Sequence, residues 1–510
     1  MSYLICDFMG DKHLCNVSEN LVSKKPDKFK YLISHTLPKK YSSLNDLEHL
    51  DANLLYSISG LHSLNIDFSI SIIDKSKNSQ YLECLQTFLT CFDRIDPLGM
   101  PTNERIHYFW TLLGFYENYF NYRKGVSSII FCNVPHMPWD ILLFYFAKHN
   151  DIETTFLRKT GIGGYLYIDN DFRPSKTNIY YTYNKNILTL NDDDRIKKLS
   201  LANLRDMNFT KGQIGGAWNK KIPPIKKLIK DFAGLLGLSG LLTTLRIIKE
   251  GKPTIHKKAT QDTSQKSTFA AYNYFSWFEF LLTHLKFQSK INSIKNFYNS
   301  IALKELPNKN FIYVSLHLQP ERSTNPEGGY FDDQSLMIKI ISESIPDDWC
   351  IIVKEHPKQF KYDLRTFHAR SINFYKTINN LKNVFFIDSE FPQNELIVRS
   401  KITATVSGSV GWETLLNRKP SLIFSQNWHT DCNASQYVFD VDSTKNAIHQ
   451  YMNMKPKEIE GHLFKFIENI STSLIYGALN NNHLEFFISL KNKDIAVNNI
   501  ADAIIERVSN

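Results

Sequence analysis

Thr403-Ala404-Thr405-Val406-Ser407-Gly408-Ser409-Val410-Gly411-Trp412-Glu413-Thr414-Leu415-Leu416 reads as a strand, a turn of small residues and the start of a helix. Strand, turn and helix in that order form the repeating unit of a parallel α/β sheet. The turn Ser407-Gly408-Ser409 places backbone N–H groups and two hydroxyls at a helix N-terminus, where an anion binds readily. Glycine at its centre lets the backbone approach such a ligand closely.

Working outward, the same alternation continues on both sides. Phe311–Leu316, Cys350–Lys354, Val384–Ile387, Ile402–Val406 and Ser421–Phe424 read as buried strands. Leu336–Ser344, Pro392–Val398 and Gly411–Asn417 read as the helices between them. This predicts a doubly wound, Rossmann-like unit, whose ligands bind beyond the carboxyl ends of the strands. Toward the N-terminus, 102–122 reads as an aromatic-rich helix and Val126–Cys132 as a buried strand. The loop Asn133-Val134-Pro135-His136-Met137-Pro138-Trp139-Asp140 follows, then a helix over Ile141–His149 and a strand at Thr154–Leu157. Residues 1–75 read as an irregular α/β start, with a further strand at Ile66–Ile73.

A chain of 510 residues exceeds one ordinary core. The predicted division is 1–300, an α/β unit with a helical, basic segment at about 190–300, and 301–510, the Rossmann-like unit. Residues 250–268 are polar and turn-rich, and Tyr272–Leu303 reads as a helix bridging the two units. The composition is 43% hydrophobic and 13% aromatic, which supplies two cores and argues against disorder. The net charge of +9 suits an anionic substrate or an anionic membrane surface, and no zinc-finger, RNP or basic-zipper pattern accompanies it. The seven cysteines are scattered and lack metal-ligand spacing, so a reducing cytosol is expected. No basic n-region or secretory signal is apparent at Met1–Asp7. The apolar stretch Phe232–Leu245, flanked by lysines and arginines within 220–252, reads either as a peripheral contact with an anionic bilayer or as a pair of core helices.

Three strand-end loops of the second unit carry the candidate chemistry. In the first, Gln319, Glu321 and Arg322 follow a buried strand, and the guanidinium fork of Arg322 matches a phosphate or carboxylate. In the second, Lys354 and Glu355 lead into His356-Pro357, whose histidine can donate to a phosphate oxygen. The third is Ser407-Gly408-Ser409, with Glu413 placed to accept from ribose hydroxyls or to complement the helix dipole. In the first unit, His136 and Asp140 follow a strand and are expected to face the interdomain cleft. Asp140 suits a general base, a nucleophile or a helix cap. Glu117, in the aromatic helix, is a second carboxylate candidate.

His356-Pro357, Ser407-Gly408-Ser409 with its Glu413 helix, and Gln319-Pro320-Glu321 together resemble the donor half of a GT-B glycosyltransferase. More closely, they resemble the bacterial surface-polysaccharide (capsule and lipopolysaccharide) biosynthesis proteins, a group that includes CMP-Kdo transferases and is similar to bacterial sialyltransferases. The resemblance covers about 310–430. It implies a GT-B-like α/β fold, two Rossmann-like domains facing a cleft, with a helical insertion in the N-terminal half. It implies that His356, Ser407 and Ser409 hold the donor phosphate while Glu413 and the Glu321 loop contact nucleotide or sugar. The implied activity is transfer of a sugar, from a CMP-activated keto-acid donor such as Kdo or a nonulosonate, to a glycan or lipid-linked glycan acceptor. The enzyme would work in the cytoplasm or peripherally at the inner membrane. The acidic Asp-Gly signature of some relatives is missing. No cofactor is expected: a CMP-linked donor has one phosphate, and the acidic clusters Asp192-Asp193-Asp194 and Asp332-Asp333 sit on no clear strand end. The alternatives are a UDP-sugar-using glycosyltransferase or 2-epimerase of the same fold, and a non-catalytic glycan- or nucleotide-binding subunit.

Overall fold

The computed structural model describes residues 2–172, apart from 7, 9–10, 36–40, 65–78 and 97–99, and residues 277–509, apart from 362–365, 367 and 489–491. Between these stretches only Ile179, Tyr181 and Leu204 are described. The expected strand at Ile66–Ile73, the 220–252 and 250–268 segments and Asp192–Asp194 therefore lie outside the described residues, as does most of the 190–300 helical segment.

Among the described residues, thirteen strands form two sheets. The first sheet contains β1 (Ser2–Cys6), β2 (Phe29–Ser34), β3 (Glu48–Asp51), β4 (Val126–Phe131), β5 (Glu153–Lys159), β6 (Tyr165–Asp169) and β13 (Ile475–Tyr476). Its order is β13-β6-β5-β4-β1-β2-β3, with β1 to β5 parallel and β6 antiparallel to both β5 and β13. The second sheet contains β7 (Phe311–Ser315), β8 (Cys350–Lys354), β9 (Val384–Ile387), β10 (Ile402–Thr405), β11 (Ser421–Ile423) and β12 (Ser435–Tyr437), in the order β12-β11-β10-β7-β8-β9 and parallel throughout. Counted from β7, this is the 3-2-1-4-5-6 order of a Rossmann sheet, which reverses between its first and fourth strands. The reversal falls between β7 and β10, the strands followed by the loops that carry His317 and Ser407.

The expected α/β class, with two parallel-dominated sheets, is what the structure shows. The strands of the second sheet form where expected because they are buried on both faces. Cys350-Ile351-Ile352-Val353-Lys354 has no exposed position, the continuous pattern of a parallel strand covered on two sides. The N-terminal region is more regular than expected. β1, β2 and β3 are ordinary parallel strands, with α1 (Lys12–Lys24) crossing between β1 and β2.

Helices cover the first sheet on both faces. On one, α2 (Thr102–Tyr122) and α3 (Pro138–His149) bury Phe109, Leu112, Tyr116, Trp139, Leu142 and Phe146 in an aromatic core. On the other, α1 contributes Leu14, Val17 and Leu21 to a core shared with Val497, Ile500 and Ile504 of α6 (Lys493–Ser509). β13 and α6, counted with the second unit in sequence, thus fold onto the first sheet. Tyr3 Oη donates to the Val508 carbonyl at 3.0 Å and Lys24 pairs with Asp502 at 2.5 Å. The helix expected to bridge the units is α4 (Trp277–Ile301); its described residues pack on the second sheet, with Ile294 and Tyr298 in that core and Tyr298 Oη donating to the carbonyl of Ile387 in β9 at 2.5 Å. A further core joins the two sheets through Ile162, Tyr165 and Tyr167 on one side and Trp412, Leu415 and Trp428 on the other.

Candidate functional site

The turn after β10 is built by its own polar atoms. His317, buried at the end of β7, places its Nε2 2.9 Å from Thr405 Oγ1 and accepts the Ser407 N–H there at 3.3 Å. Its Nδ1 lies 3.0 Å from Ser323 Oγ and 3.5 Å from the Glu321 carboxylate. Gly408 N–H donates to Thr405 Oγ1 at 3.2 Å, and Ser407 Oγ donates to the Ser323 carbonyl at 2.5 Å. Two of the turn's backbone donors and one of its hydroxyls are therefore committed to holding the turn. What remains for a ligand is the N-terminus of α5 (Ser409–Leu416). Its N-cap is Gly408, which supplies no side-chain cap; the Gly411 N–H is taken by the Gly408 carbonyl at 3.1 Å, which leaves the N–H groups of Ser409 and Val410 at the helix start, where anions bind. Glycine is needed at 408 for packing as well: a Cβ there would lie 2.7 Å from Thr405 Oγ1 and 3.3 Å from the His317 ring.

Across from this turn lies the carboxyl end of β5. A cavity of about 320 Å³ is lined by Arg158, Lys159, Thr160 and Gly161 from the first sheet, and by Arg322, Ser323, Glu327, Ser407, Ser409 and Trp412 from the second. Asn427, Trp428 and His429 after β11, with His483, complete it. Its size falls within the usual range of small-ligand sites, roughly 300–1,000 Å³. Arg158 is fixed by Asp169 at 3.2 Å and by Glu327 at 2.9 Å. Arg322 donates to Asn133 Oδ1 and lies 3.5 Å from Glu327. Burial and the Arg322 guanidinium push the Lys159 amine down to about 8. His429 is buried, and burial pushes it down to about 3, so its ring is neutral. Ser421 Oγ donates to Ser435 Oγ, which lies 2.8 Å from His429 Nδ1.

The predicted donor-side residues divide into two groups. Arg322, Ser407 and Ser409 border the cavity. Gln319, Glu321, Lys354, His356, Pro357, Gly408 and Glu413 surround its second-sheet wall without bordering it. Gln319 is buried, taking a bond from Gln359 Nε2 at its carbonyl and donating its own amide to Thr324 Oγ1 at 2.7 Å. Glu321 is exposed, and hydrogen bonds from His317 and Ser323 hold its carboxyl below the usual range. Burial lowers the Lys354 amine, against the pull of Glu390, Asp388 and Glu413. His356 begins the 3-10 turn Pro357–Phe360, accepting the Lys358 N–H at Nδ1 from 3.2 Å. Burial lowers its basicity, partly offset by Glu321 and Glu355. Glu413 accepts from Ser409 Oγ at 3.1 Å and from Gln393 Nε2 at 2.9 Å.

In the first unit, Asp140 Oδ1 accepts the His136 and Met137 N–H groups at 2.8 and 2.6 Å, which caps α3. His136 Nδ1 bonds the Val134 carbonyl at 2.8 Å, and burial with Arg94 and Arg322 nearby pushes the ring down to about 3. The Asn133–Asp140 loop faces the second unit: Arg94 donates to the carbonyls of both His136 and Asn325, and Arg322 reaches Asn133. Glu117 is not brought to this loop. It lines a separate depression with Arg123, Lys124 and Val126, at the opposite end of β4. Sequence reasoning missed Arg158, Lys159, Glu327, His429 and the knot at His317. His317 had one usable signal, its place at the end of the first Rossmann strand, where the strand order reverses. Among the described residues no group of three or more His, Cys, Asp or Glu could hold a metal ion, and no helix is long and apolar enough to cross a membrane.

No family model matches the chain, and no curated protein matches it. Among solved structures it is similar to a UDP-GlcNAc 2-epimerase from Methanocaldococcus jannaschii, at 11% identity over 89% of this chain and 93% of that one, with a TM-score of 0.24. It is similar to the KpsC beta Kdo 2,7 transferase of Thermosulfurimonas dismutans, at 10% identity over 79% of this chain and 95% of that one, with a TM-score of 0.29. A UDP-GlcNAc 2-epimerase from Neisseria meningitidis bound to UDP-GlcNAc gives 10% identity over all of both chains and a TM-score of 0.22. Likeness at this level carries no argument about activity; the fold rests on strand order and register.

Proposed function

We propose that the chain is a glycosyltransferase of bacterial surface-polysaccharide assembly, taking its sugar from a nucleotide-activated donor, CMP-linked to a keto-acid sugar, and passing it to a glycan or lipid-linked glycan. The observation that carries this reading is one cavity at the strand-order reversal of a Rossmann sheet, with an uncapped helix N-terminus on one wall and Arg158, Lys159 and Arg322 on the others. Such a site favours a ligand with phosphate. The nucleotide phosphate sits on the first turn of α5, beside Ser409. The Asn133–Asp140 loop, tied to the donor unit through Arg94 and Arg322, is the acceptor-side candidate, with Asp140 and His136 as its titratable groups. The basic flanks within 220–252 support a peripheral position at an anionic membrane surface.

The test is incubation with CMP-Kdo, CMP-nonulosonates and UDP-sugars, with and without a glycan acceptor. CMP release that depends on acceptor is expected; epimerised UDP-sugar without acceptor, or binding with no turnover of any donor, overturns the reading. Ser409→Ala and His356→Ala are expected to weaken donor binding, whereas Asp140→Asn is expected to lower turnover with donor binding retained. Asp140→Ala is a poorer probe, because losing the cap costs about 0.5–2 kcal/mol of stability.

A further inference from the structure

The cavity carries an uncompensated positive charge, and its position says something about the donor. Arg158 and Arg322 have carboxylates: Asp169 and Glu327 serve the first at 3.2 and 2.9 Å, and Glu327 stands 3.5 Å from the second. Lys159, the last residue of β5, lines the same cavity. Among the described residues its amine pairs with no carboxylate and no hydrogen-bond acceptor. Its surroundings push it toward the neutral form, through burial and through Arg322, and burial, with Lys159 adding to it, lowers the neighbouring His483 to about 4. Enclosing a cation without a counter-ion is costly, and a bound anion recovers that cost.

The anion-seeking features of the cavity therefore come from opposite walls. The N-terminus of α5 belongs to the second sheet and Lys159 to the first. The phosphate of a bound nucleotide occupies one of them, and Lys159 is left for a second, separate negative charge. A pyrophosphate carries its charges contiguously, and a neutral sugar joined to a nucleoside monophosphate carries no second one. A CMP-linked keto-acid sugar carries both on one carbon: the anomeric carbon bears the phosphate oxygen and the carboxylate.

Resting on the proposed donor reading, we infer that Lys159 is a specificity-determining residue that binds the sugar carboxylate of the donor, while the first turn of α5 binds the phosphate. The experiment measures dissociation constants of CMP, CMP-N-acetylneuraminate and UDP for the wild-type chain and for Lys159→Gln and Lys159→Arg. Loss of a charge-assisted hydrogen bond is expected to weaken CMP-N-acetylneuraminate by about 10–100-fold in Lys159→Gln while CMP changes by less than about twofold. Lys159→Arg is expected to restore most of the loss. Because the amine must be protonated, wild-type affinity for the acidic sugar should begin to fall as pH rises through about 8. The other charged and titratable groups on this cavity are Arg158, Arg322, Glu327, His429 and His483: Arg158 is held in its ion pair with Glu327, Arg322 stands 3.5 Å from Glu327, and His429 and His483, lowered to about 3 and about 4, are already neutral. Lys159→Gln should lack this fall. Equal losses for CMP and CMP-N-acetylneuraminate would make Lys159 a phosphate contact, and selective loss of UDP would make it a pyrophosphate contact; either overturns the assignment, as does no change. Failure of the donor reading looks different: the wild-type chain then binds neither CMP nor its acidic-sugar conjugate, and both proposals fall together.

Discussion

Replacing Arg370 by methionine should lower the stability of the chain by about 3–5 kcal/mol, the cost of leaving one partner of a buried ion pair alone. Glu355 is fully buried at the end of β8. Its carboxylate takes Arg370 Nε at 2.7 Å, Tyr375 Oη at 2.7 Å and the His356 N–H at 2.8 Å. Without the guanidinium, a buried charge is left with two neutral donors. Arg370 also donates to the His317 carbonyl at 3.2 Å, so the loop after β7 loses an anchor at the same time. Denaturant unfolding at pH 7 measures the loss. The double change Arg370→Met with Glu355→Gln should recover part of it, because the uncompensated charge is then gone. Wild-type stability for Arg370→Met would show that this network contributes nothing.

The second large effect is expected at Gly408. Alanine there places a methyl 2.7 Å from Thr405 Oγ1, below any ordinary contact. Thr405 cannot step aside cheaply, since its hydroxyl lies 2.9 Å from His317 Nε2 and accepts the Gly408 N–H. Overpacking of this kind costs about 1–3 kcal/mol. The displacement also turns the first turn of α5 away from the cavity. Nucleotide binding should therefore weaken by about tenfold or more, the equivalent of roughly 1.4 kcal/mol. Titration with CMP, alongside circular dichroism to confirm folding, separates this from unfolding. A folded Gly408→Ala chain that binds as the wild type does would show that the turn is not part of the ligand site.

These two positions differ in how visible they were in the sequence. Ser407-Gly408-Ser409 was legible because strand, turn and helix are contiguous, and local rules set their geometry. The strands of the second sheet were legible for the same reason: Ile351, Ile352 and Val353 declare burial by themselves. β12 was not, because Ser435-Gln436-Tyr437 is a short, polar edge strand. β2 was obscured by Lys30, which sits exposed within it. The cavity lining was illegible for a different reason. Lys159, Arg322, Ser407, His429 and His483 are separated by long stretches of chain, and only the packing of two sheets brings them together. Asp140 shows the limit from the other side. Its spacing from His136 signalled a carboxylate at a helix start, and the structure has that carboxylate bonded to the N–H groups of His136 and Met137, the two residues just before the helix. Capping is local chemistry, so it was readable; any action on an acceptor depends on how the loop meets the other unit.

The return of β13 and α6 to the first sheet means that the two halves cannot be separated by one cut. A chain stopped after Ile470 would keep all six strands of the second sheet. It would uncover Leu14, Val17 and Leu21 on α1, along with the outer edge of β6. An expressed fragment of residues 1–300 would expose the same apolar surface and an unpaired strand, the combination that drives edge-to-edge association. Co-expression of 1–300 with 301–510 should yield a soluble heterodimer in which the second polypeptide lends its final helix to the first. Domain-by-domain dissection of this protein calls for split halves expressed together.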